Sequence, residues 1–274
     1  MTTTLRPAEP LQQNPDGTRS RRYQVCVNSR PVGTIHLGTH PVFGPSAARI
    51  MSLRIEEPDR RRGRGTVAAL AAEEVVRGWG CRRIEVTVPA DAGPALRLAT
   101  ALGYAVRNRG MEKALGGTPP ALPEGSRARA MTEEEFRPWL AQGREDFARQ
   151  WIERGVPEAE ARAKSERDHA ELLPEGRATE GMLFSVLEHQ GSAVGNLWLS
   201  VRGEQAFVFD VETRSAHRGR GHGRSLMLLA EAQAVAAGKR TIGLNVFAGN
   251  TPAERLYASL GYRTTRYAMY KHLL

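Results

Sequence analysis

The chain predicts two tandem domains of one α/β fold (of the α+β type), each a mixed, mostly antiparallel sheet flanked by helices. Three observations predict it. Residues 60–115 lie over 218–273 at a constant offset of 158 without a gap, and 22 of the 56 pairs are identical. A repeat this long is a duplicated domain, since solenoid repeats are far shorter. In the second copy, β-rich runs precede a glycine loop and an amphipathic helix, and a strand and a second helix follow. Finally, "GGTPPALPEG" at 116–125 is rich in Gly and Pro and reads as an interdomain linker. The expected organisation is a degenerate domain over 1–115, the linker over 116–125 and a complete domain over 126–274.

The elements of the second copy follow in order. Residues 131–173 read as two helices anchored by Phe136, Leu140, Phe147 and Trp151. Residues 182–201 read as two strands joined by a turn at Gln190–Gly191, and 206–214 as a third. After the glycine loop, Leu226, Leu229, Ala230, Ala234 and Ala237 keep helical spacing up to Gly238, a residue suited to a helix stop. Residues 240–247 return to strand. Asn250, Thr251 and Pro252 then open a helix with Ala253, Leu256, Tyr257 and Leu260 on one face, closed by Gly261.

Composition narrows the function. With 274 residues, 41% hydrophobic and 25% charged, the chain is an ordinary globular one. No signal-like or 18-residue apolar run occurs, so the expectation is a cytoplasmic protein without membrane contact. Cys26 and Cys81 form no motif, and the seven histidines lack metal-ligand spacing, so no metal is expected. The net charge of +9 fits either a phosphate-rich partner or an arginine-rich coding bias. Residues 131–173 run against that trend, with eleven acids to seven bases.

The stretch "HRGRGHGRS" at 217–225 carries the first chemical signal. Its glycines sit between a β-rich run and an amphipathic helix, so they predict a strand-to-helix turn whose free backbone N–H groups face an anion. Glycine permits the unusual φ values and a close approach of phosphate. Neither a Walker lysine nor the dinucleotide glycine spacing is present.

Arg218-x-x-Gly221-x-Gly223, its helix, "LNVFAGNTPAERLYASLGY" at 244–262 and the preceding "FDVET" strand together resemble the GNAT family of acyl-CoA-dependent N-acyltransferases. The resemblance covers 126–274, and a shortened copy at 23–115 is similar. It implies acetyl-CoA as cosubstrate, its pyrophosphate held by Arg218, Gly219, Arg220, Gly221, His222, Gly223 and Arg224. Its pantetheine arm would pair with the strand carrying Val211 and Thr213. Tyr257 stands where the family places a tyrosine that protonates the leaving thiolate. A core tyrosine is the bland alternative.

Asp210 and Glu212 share one strand face, because side chains alternate along a strand. Either can bind or deprotonate an incoming ammonium, and an ion-paired surface face explains them equally well. Asn250 is fully explained as an N-cap, with a coenzyme contact as a second role. Asn245 faces an acceptor or serves structure. At the same offset the first copy has Ala99 for Tyr257, Ala92 for Asn250, Thr87 for Asn245 and Arg54 for Glu212. It keeps Arg60, Gly63 and Gly65, and only some 22 polar residues precede its first expected strand at Tyr23. The first copy is therefore expected to be catalytically dead and at most a coenzyme binder.

The leading expectation is acetyl transfer from acetyl-CoA to a primary amine by direct attack in a ternary complex. The acceptor is a small molecule, a peptide or a protein, and the protein is a monomer or homodimer. The alternative is an acyl-CoA sensor without turnover. Nucleic-acid binding is disfavoured, because only 6% of residues are aromatic and no recognition motif is present.

Overall fold

The computed structural model describes residues 2–40 and 43–273. Along the chain run β1 (Thr3–Pro7), β2 (Gln12–Gln13), β3 (Arg19–Val27), β4 (Arg30–His40), β5 (Gly44–Ile55), α1 (Arg64–Gly78), β6 (Arg83–Pro89), α2 (Gly93–Ala101) and β7 (Ala105–Ala114). Then come β8 (Ser126–Ala130), α3 (Glu133–Ile152), α4 (Glu158–Leu172), β9 (Met182–His189), β10 (Ser192–Ser200) and β11 (Ala206–Thr213). The chain closes with α5 (His222–Ala236), β12 (Thr241–Phe247), α6 (Thr251–Ser259) and β13 (Arg263–His272). The chain divides into two compact units. One holds the residues up to Asn108 together with those from Arg266 on, and the other holds Arg109–Thr265.

In the first unit, β3, β4 and β5 pair antiparallel, and β5 pairs parallel with β6 over Ala47–Ile50. β1 adds an antiparallel edge to β3. This corrects the expectation that the first 22 residues precede all structure. Leu5 packs on the core and its neighbours face outward, too thin a pattern to announce a strand. Among the described residues only β1 and β2 precede β3, where the second copy has its two helices before β9.

In the second unit, β8, β9, β10 and β11 pair antiparallel in that order. β11 pairs parallel with β12, and β7 lies beyond β12. Leu226, Met227, Leu229 and Ala230 of α5 are buried against Leu197, Leu199 and Val208 of the sheet, which is why the apolar residues recur at helical spacing. α3 starts with a capping box, in which Thr132 and Glu135 each accept the other's backbone N–H. A second cluster, including Phe136, Phe184 and Trp198, packs α3 onto the strands. The 116–125 segment lies along this unit. The Leu115 N–H reaches the Arg240 carbonyl at 2.8 Å, Leu122 joins the core, and Gly125 accepts from the Gln190 N–H at 2.9 Å.

The repeated glycines end helices. Gly238 (φ 73°) follows α5, with its N–H on Val235 and that of Lys239 on Ala234, a Schellman motif. Gly80, Gly103 and Gly261 close α1, α2 and α6 with the same pair of bonds, so "LGY" is a helix stop written twice.

The units also trade strands. β7 ends the first copy in sequence, yet its later residues complete the second unit, where Met111 enters the core. β13 ends the second copy, yet it pairs antiparallel with β6 and buries Met269 in the first unit. Lys113 meets the buried Glu231 at 2.7 Å beside the Tyr262 ring. Lys271 likewise meets the buried Glu73 at 2.7 Å beside Tyr104. Burial and the adjacent carboxylate push both phenols up, so both stay protonated.

Candidate active site

The site of the second unit begins at a break in the sheet. β11 and β12 pair only at Ala206–Ile242, Phe207–Gly243 and Val208–Leu244, although both strands continue. Past Val208, β11 also bulges. Trp198 of β10 opposes Asp210 and Leu199 opposes Val208, which leaves Phe209 as the extra residue. A bulge turns the following side chains and frees a strand edge. Asp210, Val211, Glu212 and Thr213 all lie on this stretch.

Asp210 is partly exposed and accepts a hydrogen bond from the Trp139 indole N–H at 3.3 Å. Burial, reinforced by the charge of Glu212, pushes its carboxyl up to about 6, against the opposing pull of Trp139 and the Val211 amide. Glu212 is exposed. Tyr257 on α6 is buried and pushed up to about 12, first by burial and then by the charge of Asp210. One neighbourhood thus holds a carboxylate poised to take a proton near neutral pH and a phenol that keeps its own.

The glycine loop has the shape its sequence predicts. Gly219 (φ 76°) and Gly221 (φ 85°) are left-handed, and Gly221 is the N-cap of α5 without any side-chain cap. A Cβ at either would meet nothing within 4 Å, so conformation rather than crowding requires glycine there. The uncapped first turn and the uncrowded glycines before it fit a phosphate group. Gly223 differs, because a Cβ there would come within 3.2 Å of Leu256.

The arginines divide their work. Arg218 Nε donates to the Thr213 carbonyl at 3.3 Å, which ties the loop to β11. Arg224 donates to the Ser259 hydroxyl at 2.8 Å. Arg220 is exposed on the loop. His222 is buried, with His189 at 5.1 Å and His217 at 6.1 Å, and burial lowers its pKa. Asn250 Oδ1 accepts the Ala253 N–H at 3.3 Å, so it does cap α6, and Asn245 is exposed on β12.

The first unit keeps the frame. β5 bulges at Met51, since His36 opposes Ser52 and Leu37 opposes Ile50. Arg60 Nε donates to the Ile55 carbonyl at 2.8 Å, the counterpart of Arg218 on Thr213. Gly63 (φ 72°) caps α1 as Gly221 caps α5, and Gly65 follows it. The chemistry differs throughout. Ser52 replaces Asp210, Arg54 replaces Glu212, and Ala99 is a core residue in place of Tyr257. Ala92 heads α2 with no side-chain cap. Asp59 is buried between Arg30, at 2.8 Å, and Arg64. No cluster of His, Cys, Asp and Glu suited to a metal occurs among the described residues.

Two features escaped the sequence reading. Trp139 bonds to Asp210 across 71 positions, and Trp198 stands opposite Asp210, and no local pattern announces either pairing. His189, beside the loop histidine, comes from the β9 end, and only the fold brings it there.

An opened strand edge, a glycine loop at an uncapped helix N-terminus, and a carboxyl and a phenol with raised pKa values make up the candidate site. The acetyltransferase (GNAT) family pattern matches residues 3–104 and again 140–262, and the chain belongs to that family. It is an acyl-CoA-dependent acyltransferase with two GNAT domains in tandem, and the family uses acetyl-CoA as cosubstrate. The uncharacterized N-acetyltransferase YdgE of Bacillus subtilis is 33% identical over 149 residues, which cover 52% of this chain and 95% of YdgE. A mycothiol acetyltransferase of Thermomonospora curvata is 32% identical over 266 residues, covering 92% of this chain and 81% of its own. Among solved structures, a GCN5-related N-acetyltransferase from Sphaerobacter thermophilus has the same fold, with a TM-score of 0.61 at 22% identity over 92% of this chain and 80% of that one. A tandem GNAT protein from the clavulanic acid biosynthesis pathway aligns with a TM-score of 0.52 at 20% identity over 96% of this chain and 85% of that one. No described helix is long and apolar enough to cross a membrane.

Proposed function

We propose that the second copy transfers an acetyl group from acetyl-CoA to a primary amine by direct attack in a ternary complex, and that the first copy is not catalytic. The observation that carries this reading is the pairing of Asp210, at about 6, with Tyr257, at about 12, within electrostatic reach of each other, and the loss of both in the first copy.

When bound, acetyl-CoA supplies the activated acyl carbon and a thiol leaving group. Gly219 to Arg224 hold its phosphates through the uncapped amides of α5, with Arg218 bracing the loop from behind. Val211 and Thr213 offer the free strand edge to the pantetheine arm, and Asn250 and Asn245 border the opening. Asp210 takes the proton from the incoming ammonium, with Glu212 as a second negative charge that attracts it. Tyr257 gives its proton to the departing sulfur. Arg60, Gly63 and Gly65 leave the first copy able to bind a coenzyme without turning it over. The mycothiol acetyltransferase relative, matched across both copies, supports a working acetyl transfer in a two-copy chain.

The test is calorimetric titration with acetyl-CoA followed by release of coenzyme A with and without amine. Amine-dependent release that Tyr257→Phe abolishes is expected. Binding without any amine-dependent release favours the sensor alternative, and no binding removes the reading.

A further inference from the structure

Of the seven Phe and four Trp, all but Phe43 and Trp79 fall between positions 136 and 247. Each of those nine makes a ring contact with another of them or with His169, so the aromatic side chains form one connected wall. The wall meets the reaction site at Asp210. Trp139 donates to that carboxylate, Trp198 stands opposite it on β10, and Phe209 of the bulge stacks on Trp198 at 4.7 Å. Beyond the last β11–β12 pair, Phe209 lies on one strand and Phe247 on the other, both partly exposed, so both lips of the opening are aromatic.

Charge is graded along the wall. Asp210 has Glu212 and Asp146 near enough to raise its pKa, so this end is negative and draws one ammonium. At the other end the charge is positive. Arg154 lies 4.3 Å over the Phe247 ring, whereas Lys164, 5.1 Å over Trp151, is ion-paired with Asp168. A second ammonium on an extended acceptor meets fixed positive charge there, while an uncharged flat body meets rings.

We propose, on the basis of the acetyl-transfer reading above, that the acceptor is a monoamine whose primary ammonium is carried on an aromatic or apolar body, seated against Trp139, Phe209 and Phe247 with its nitrogen at Asp210. Polyamines and other polycations are disfavoured by Arg154. The apolar body contributes binding at the wall, and the nitrogen alone takes part in the chemistry.

The experiment uses the full chain at saturating acetyl-CoA and compares phenethylamine, methylamine and spermidine by coenzyme A release. Tryptophan emission is titrated with each amine in parallel. Phenethylamine is expected to exceed methylamine in kcat/KM by about tenfold or more, from burial of its ring. It is also expected to exceed spermidine and to shift the emission saturably. Phe209→Leu keeps apolar volume and loses the flat face, and it is expected to shrink the phenethylamine-to-methylamine ratio several-fold. A thermal melt separates that effect from misfolding. Turnover of spermidine or methylamine equal to or faster than phenethylamine overturns the inference and leaves acetyl transfer standing. If no amine releases coenzyme A, acetyl transfer falls. Without turnover, the emission titration decides the inference, and a phenethylamine signal that is absent or no stronger than that of spermidine overturns it.

Discussion

Two loops with nearly the same backbone frame the two copies. At Gly221 and Gly63 the chain turns left-handed and starts a helix without a side-chain cap, and Arg218 and Arg60 reach back to corresponding carbonyls of the preceding strands, those of Thr213 and Ile55. Around the first lie His189, His217 and His222, with Asp210 and Tyr257 beyond. Around the second, Asp59 is locked between Arg30 and Arg64, and the positions of Asp210 and Tyr257 hold Ser52 and Ala99. The two copies therefore share the loop backbone and differ in the side chains around it. The loop is also how strand and helix are joined, so its loss costs the fold. Tyr257 also belongs to the core of its unit, so a conservative change such as Tyr257→Phe is what separates its packing from a part in turnover.

The largest effect should come from erasing the difference. Tyr257→Phe and Asp210→Ser, the latter importing the first copy's residue, should each lower kcat by about 10²- to 10³-fold. Ala99→Tyr should add nothing. Steady-state coenzyme A release checks all three, and wild-type rates in either loss variant break the comparison.

The next effect should be equal in the two units. Lys113→Met strands the buried Glu231 and Lys271→Met strands the buried Glu73, so each should destabilise by about 3 kcal/mol. Denaturant unfolding of both variants measures this, and unequal losses would show that one pairing matters more.

A smaller effect ties the chemistry of the second unit to its stability. The carboxyl of Asp210 is raised in the folded state, so the fold favours its protonated form. Stability is then fullest below the ordinary carboxylate pKa near 4 and declines as pH rises toward about 6. Asp210→Asn removes that loss and should stabilise the protein by about 2 kcal/mol at pH 8, and by little at pH 4, while turnover falls. In the wild type, activity should rise through pH 6 as Asp210 ionises. Melting curves at the two pH values and a pH–rate profile test both halves.

The smallest effect lies in the loop of the first copy, before Gly63. Arg61 holds the left-handed position (φ 57°) that Gly219 occupies in the second copy. Arg61→Gly should relieve up to about 1 kcal/mol of backbone strain, visible as a rise of a few degrees in the melting temperature.

Much of this was legible because it is local. The helix stops at Gly80, Gly103, Gly238 and Gly261, the N-cap at Asn250 and the αL glycines each follow from a few neighbouring residues. The Asp210–Trp139 contact is not local, and a tryptophan at helical spacing reads as core. The strand exchange was hidden for a different reason. Met111 matches Met269 and Lys113 matches Lys271, so either strand satisfies the same methionine pocket and the same glutamate. Exchanged and unexchanged pairings are chemically alike, and a sequence carries no mark that separates them. The N-terminal edge strand β1 escaped because Leu5 alone anchors it.

The exchange gives the order of synthesis a consequence. The ribosome makes β7 before the sheet that will receive it exists, and it makes β13 after every other described strand. Most of the first unit is translated before the second and must wait, one sheet position unfilled, until β13 leaves the exit tunnel. A premature stop just after α6 would therefore damage the unit that was translated first, sparing the elements that carry Asp210 and Tyr257 while leaving Glu73 without its lysine.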